Sequence, residues 1–140
     1  MSGEAGSMSG RSGADRRRLA ATVAGAADAV VSVLAAHPMR GLGPYPAGDV
    51  LAVLLGQQRI LLEAVDGWEG PLAVTADGRP EPLAGELALF MSYLQLSCVL
   101  YRGLSDIPAS MRADAARHLS TIHLAARRLR DRARRAARAA

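Results

Sequence analysis

Arginine is the most unevenly distributed residue type in this chain, and its pattern could serve the binding of phosphate groups. Residues 127–138 hold seven arginines against one carboxylate, Asp131. A basic arm of this kind is typical of segments that contact nucleic acid or an anionic surface, but also of a solvated helix end. No aromatic residue interrupts the run, so base stacking is not indicated. The predicted phosphate-binding residues are Arg127, Arg128, Arg130, Arg132, Arg134, Arg135 and Arg138.

The histidines and the single cysteine do not have the spacing of a metal site. His118 and His123 are five residues apart. That spacing separates them by roughly 140° around a helix, whereas paired ligands are three or four residues apart. His37 stands alone before a proline, and one cysteine, Cys98, excludes both an internal disulfide and a cysteine-based zinc site. We therefore predict no metal and no cofactor.

Catalytic groups do not converge in the sequence either. Glu63, Asp66 and Glu69 form an acidic run near Trp68, but an acid–base pair needs a second element to enclose it. The glycine-rich segment before residue 49 lacks the lysine and the preceding strand of a phosphate-binding loop. Cys98 lies in an apolar run, which favours a buried core thiol over a nucleophile. The sequence indicates a protein without catalytic residues.

The element expected to organise the fold is the uncharged segment 87–101, LALFMSYLQLSCVLY. Its apolar residues recur at steps of three and four, which predicts a helix. They form two adjacent rows, so we expect the other helices to wrap most of its circumference. Its length of about fifteen residues is below the roughly twenty that span a bilayer, so no membrane span is predicted.

Three further helices follow from capping residues, breakers and periodicity. The first runs from Asp15 to His37, and the second begins at a capping Asp49 and continues for about seventeen residues. The last begins after Ser105 and Asp106, with Pro108 in its first turn. The predicted fold is an all-α, four-helix antiparallel bundle with a long ordered loop between helices 2 and 3.

This pattern divides the chain into three parts. Residues 1–13, rich in Gly and Ser, are predicted to be a disordered lead, and residues 14–126 the helical bundle. Residues 127–140 are predicted to be a basic helical extension or tail that projects beyond the core. Residues 16–18 add a second basic cluster, which we expect at the opposite end of the bundle from the first if helices 1 and 4 are antiparallel neighbours.

Composition and charge leave three hypotheses for function. The leading one is a non-enzymatic, cytoplasmic protein that associates with itself or another protein, since half of the residues are hydrophobic and no secretion signal opens the chain. The alternative is a nucleic-acid-binding accessory protein that contacts DNA or RNA through its basic arm. All seventeen basic residues are Arg, which is typical of an actinobacterial-like, GC-rich composition and weakens any argument from arginine chemistry. The second alternative is a bundle that binds an apolar small molecule, as a sensor or enzyme, near Trp68, Phe90, Tyr93 and Cys98.

Overall fold

The structure is a computed structural model that describes residues 13–41, 43–66 and 82–139, and every regular element within them is helical. The predicted all-α fold with four helices is confirmed. Residues 1–12 of the predicted N-terminal lead, Trp68 and nearly all of the predicted loop between helices 2 and 3 lie outside the described residues, and Gly13 already belongs to the first helix. The elements are α1 (Gly13–Ala36), α2 (Ala47–Val65), α3 (Pro82–Tyr101), a 3-10 turn (Ala109–Met111) and α4 (Arg112–Ala139).

The helix ends follow local chemistry, and the start of α2 differs from the sequence prediction. α2 begins directly after Pro46, so Asp49 lies in its first turn instead of capping it. A carboxylate there still interacts favourably with the positive end of the helix dipole. α3 ends at Tyr101, because Gly103 adopts a φ of +79°, the left-handed conformation that glycine supplies at helix ends. The Leu104 amide then donates to the Tyr101 carbonyl at 3.1 Å.

The four helices form a ring in which each contacts its neighbours in chain order and α1 also contacts α4. Asp28 of α1 pairs with Arg130 in the second half of α4, whereas Leu34 near the end of α1 lies with Leu119 in the first half. α1 and α4 are therefore antiparallel, as the bundle prediction requires. Between α3 and α4 the antiparallel contacts are Glu86–Arg132 and Ser97–His118. Between α2 and α3, Gln58 contacts Gln95, and Gly48 at the start of α2 lies beside Leu104 just after the end of α3.

The core is built from one inward row of side chains on each helix. The interface of α1 with α4 is the most extensive, and small residues such as Ala20, Ala27 and Ala126 allow the two backbones to approach closely. Phe90 of α3 is fully buried at the centre. The other large, fully buried side chains are Val23, Val30, Leu54, Leu61, Leu87, Leu94, Ile122 and Leu129.

The expectation that other helices wrap most of α3 is wrong. α3 buries only the row that contains Leu87, Phe90 and Leu94, and just 28% of the most apolar 18-residue stretch within Leu83–Tyr101 is buried. In a ring of four helices each member contacts two neighbours, so one side of every helix faces outward. The sequence shows that apolar residues surround most of α3. It does not show that, among the described residues, no other element covers the outward side of this helix.

The basic end of α4 also differs from the expected projecting tail. The helix is continuous to Ala139, and both Leu129 and Ala133 are fully buried. Arg130 and Arg132 reach carboxylates on α1 and α3. The bundle therefore extends past residue 126 and holds the first half of this arm, because α1 starts early enough to pack along it.

Candidate functional site

The outward side of α3 carries four large apolar side chains. Leu89, Leu96 and Leu100 are each 45% exposed, and Val99 is 64% exposed. At 100° per residue these four share an arc opposite the buried row. No charged residue occurs on α3 between Glu86 and its C-terminus, so nothing on this side of the helix is strongly hydrated.

Two residues of α2 extend this surface. Gln58 donates to Gln95 of α3 at 2.8 Å, which fixes the side of α2 that adjoins α3. Leu55 and Leu62 stand three residues before and four residues after Gln58, and they are 45% and 50% exposed. Residues at such spacings share a helix side, so both leucines flank the glutamine pair. The apolar face, as used below, consists of Leu55, Leu62, Leu89, Leu96, Val99 and Leu100.

The basic arm of α4 divides into paired and unpaired arginines. Arg130 and Arg134 lie 3.3 and 3.4 Å from the Asp28 carboxylate, and Arg132 lies 3.2 Å from that of Glu86. These three predicted phosphate-binding residues are therefore already partly neutralised by the bundle. Among the described residues, the other four have no ion-pair partner and are exposed. The outer basic row, as used below, consists of Arg127, Arg128, Arg135 and Arg138.

The two basic clusters lie at the same end of the bundle, and the expectation of opposite ends is wrong. Antiparallel packing places the start of α1 next to the end of α4, as the contact of Asp28 with Arg134 shows directly. Arg17 and Arg18 of α1 therefore lie toward the same end as Arg138. Arg18 is paired with Asp15, one turn earlier, at 2.6 Å.

The predicted apolar pocket residues point in different directions. Phe90 is fully buried in the core, and Tyr93 and Cys98 lie on opposite flanks of α3. The Cys98 thiol donates to Gln58 Oε1 of α2 at 3.6 Å, and burial raises the pKa of this thiol. A protonated thiol is a poor nucleophile, so Cys98 behaves as a packing residue.

A serine and a histidine are close together in the core, although the sequence gave no signal for the pair. Ser97 is fully buried and its Oγ lies 2.9 Å from His118 Nε2. Ser97 Oγ also donates to the Tyr93 carbonyl at 3.0 Å, and both contacts are satisfied together in the His118 tautomer whose Nε2–H donates to Ser97. A general base would accept the Ser97 proton instead. Burial lowers the pKa of His118, consistent with a neutral structural imidazole.

Arg112 is a second polar residue whose role the sequence did not indicate. It is 8% exposed and connects two loops at the end of the bundle where α4 begins. Its guanidinium donates to the Ile107 carbonyl at 3.0 Å and to the Gly43 carbonyl, and lies 3.4 Å from Asp106 Oδ1. The charge of an arginine here is therefore satisfied by two carbonyls and one carboxylate, as a buried guanidinium requires.

Asp106 completes this clamp, and α4 begins only at Arg112, so Pro108 precedes the 3-10 turn instead of lying in the first turn of the helix. Asp106 Oδ1 accepts from the backbone amides of Tyr45 at 2.7 Å and Ile107 at 2.8 Å. The Tyr45 amide is the main cause of a lowered Asp106 pKa, and Ile107 and Arg112 act in the same direction. The clamp, as used below, consists of Asp106 and Arg112, and it fixes the α1–α2 loop against the α3–α4 connection.

Two helices are long and apolar enough to cross a bilayer, by length and composition alone: Asp15–Ala36 and Leu83–Tyr101. The core helix of a soluble bundle meets the same criterion, and 44% of the most apolar 18-residue stretch of the first segment is buried here. The described residues contain no group of three metal-ligating side chains. No protein-family model, curated protein or solved structure matches the chain. Function is therefore inferred from the surfaces.

Proposed function

We propose that this protein acts by association and forms a homo-oligomer through the apolar face of α2 and α3. The single observation that carries the proposal is the exposure of six large apolar side chains on two adjacent helices, with no charge on the intervening surface of α3. Contiguous apolar patches on a soluble domain typically mark sites of interaction.

The energetic argument starts from the exposed half of each side chain. Fully burying one Leu or Val side chain contributes about 1.5–3 kcal/mol, so covering the exposed half of Leu96 contributes about 1 kcal/mol. Six such residues on each of two copies give about 12 kcal/mol, which is comparable to the association cost of roughly 4–15 kcal/mol. Each side chain therefore matters, and one introduced charge is expected to shift the equilibrium.

A second copy is the occupant that this face fits best. A symmetric dimer uses the same patch on both subunits, so an apolar, uncharged patch is complementary to itself. The helix α3 forms a ridge of Leu and Val, and two such ridges can pack against each other as helices do in a bundle. The α3 part of the apolar face carries no charge, whereas on α2 the exposed Arg59 lies between Leu55 and Leu62 on the same side of the helix. Pairing through the α3 ridge is therefore the arrangement that brings no like charges together.

The test is the molar mass of the full chain by size-exclusion chromatography with light scattering. Leu96→Glu is expected to give a monomer, because a carboxylate would be desolvated at the centre of the interface. Leu124→Glu is the matched control, since Leu124 is 47% exposed but lies on the outer side of α4. A wild-type chain that is monomeric at micromolar concentration, or equal behaviour of both variants, refutes the proposal.

A second candidate function is supported by the outer basic row. Its four unpaired arginines are compatible with contacts to the phosphates of DNA or RNA, without base recognition. Four such contacts predict a log–log salt slope of about −3 to −4 for duplex DNA. Replacing these four residues by Gln should abolish binding, whereas replacing the paired Arg130, Arg132 and Arg134 should retain most of it. A slope near zero, or equal loss in both variants, removes this candidate.

A further inference from the structure

A cleft separate from the apolar face lies beside the last turn of α1. It encloses about 340 Å³ between this turn, the α1–α2 loop and the first half of α4. Small-molecule sites have volumes of about 300–1,000 Å³, so the cleft suits a small ligand. It shares no residue with the apolar face or with the outer basic row.

Polar side chains with unused hydrogen-bonding groups converge on this cleft. His37, Arg40, Ser120 and His123 line it, and none of their side chains has a hydrogen-bond or ion-pair partner among the described residues. Tyr45 also lines it, but its hydroxyl is buried away from the open space and is not available to a ligand there. Among the described residues, no carboxylate side chain lines the cleft. Since the Arg40 guanidinium is always charged, an anion is the favoured ligand.

The remaining walls are apolar and held in place. Leu34 of α1, Met39 of the α1–α2 loop and Leu119 of α4 provide aliphatic and thioether surface. The backbone of Tyr45 is held in place, since its amide donates to Asp106 in the clamp. A site that is largely formed before binding loses little conformational entropy when the ligand enters.

We infer that this cleft binds a small carboxylic acid with an apolar body. The carboxylate accepts hydrogen bonds from Arg40 and from the polar side chains of α4, and the apolar body packs between Leu34 and Leu119. A guanidinium and a carboxylate form charge-assisted hydrogen bonds, which are about twice as strong as neutral ones. The inference does not depend on the proposed homo-oligomer, because ligand binding here leaves the apolar face untouched.

The experiment uses the full chain and benzoate as the probe, followed by two-dimensional amide NMR. Benzoate should shift the amide signals of residues 34–40 and 116–123 in a saturable manner. Arg40→Gln should weaken the apparent Kd about tenfold, which corresponds to about 1.4 kcal/mol. Arg59→Gln is the matched control, because Arg59 is an exposed arginine of α2 outside the cleft, and it should bind benzoate like the wild type.

Two further titrations separate the ligand class from simpler kinds of binding. Benzyl alcohol has the same apolar body without the charge, and inorganic phosphate has charge without the body. Both should bind at least tenfold more weakly than benzoate. The inference is overturned if benzyl alcohol or phosphate binds as tightly as benzoate. It is also overturned if benzoate saturates without shifting the amide signals of the cleft residues. We expect benzoate to leave the molar mass of the protein unchanged. The result of this titration is therefore independent of the test for a homo-oligomer.

Discussion

Replacing Arg112 by Met is expected to be among the most destabilising single changes outside the apolar core. Met retains much of the length and apolar volume of the arginine stem but provides no donor. The carbonyls of Ile107 and Gly43 would lose their partner, and Asp106 would lose its neighbouring cation. The perturbation therefore tests whether the clamp joins the two loops.

The magnitude follows from the two carbonyl contacts. A hydrogen bond with a charged partner contributes about 1.5–3 kcal/mol, so two of them correspond to a loss of about 3–6 kcal/mol in the free energy of unfolding. The ion pair with Asp106 is left out of this figure, because that carboxylate is half exposed and its interaction is screened by water. A loss of this size is a large fraction of the stability of a small domain.

Urea denaturation followed by circular dichroism measures the difference, on a sample dilute enough to be monomeric. Asp106→Asn is the matched control at the other side of the clamp. Its amide oxygen can still accept from the backbone amides of Tyr45 and Ile107, so its cost should be clearly smaller. If Arg112→Met lowers the free energy of unfolding by less than about 1 kcal/mol, a figure typical of surface changes, the clamp does not stabilise the fold.

Three other predictions follow from buried groups and ion pairs. The free energy of unfolding should fall as pH drops below about 6.5, because burial lowers the pKa of His118 and the unfolded chain therefore binds the proton first. In denaturation experiments at several pH values, His118→Gln should reduce this dependence of the free energy of unfolding on pH. Phe90→Ala should cost about 3–5 kcal/mol in the same assay, whereas the neighbouring, half-exposed Leu89→Ala should cost less than about 1 kcal/mol in the monomer. Asp28→Asn should cost less than about 1 kcal/mol, and melting temperatures should show that this cost shrinks with added salt, because its pairs with α4 are partly exposed.

The helices could be predicted from the sequence because their signals are local. Periodicity, Pro108 and the glycine at 103 specify where helices start and stop within a few residues of each signal. The clamp could not be predicted in the same way. Arg112 reaches a carbonyl 69 residues away, in a loop with no periodicity, and nothing near it in the sequence distinguishes it from the other arginines.

The same reasoning explains why the outward side of α3 was misjudged. Apolar residues around a helix show that water is unfavourable there, but not what replaces the water. A fifth helix, a bilayer or a second chain would each satisfy the same pattern. The paired arginines of α4 show a related limit, because Arg130 and Asp28 are 102 residues apart.

The distribution of charge on the outside of the bundle favours one occupant for the apolar face without removing the second candidate function. α4 carries its outer basic row on the side away from the core, whereas α3 carries no charge between Glu86 and Arg102. If solubility alone had shaped this chain, the outer sides of both helices would be expected to carry charges, since both are exposed to the same extent by the ring. This contrast supports the proposal that a second copy covers α3 while α4 remains in solvent. In a dimer joined through α3, the outer basic row of each copy would remain exposed. Assembly and phosphate binding are therefore compatible, and Leu96→Glu should reduce DNA affinity only through the loss of bivalency.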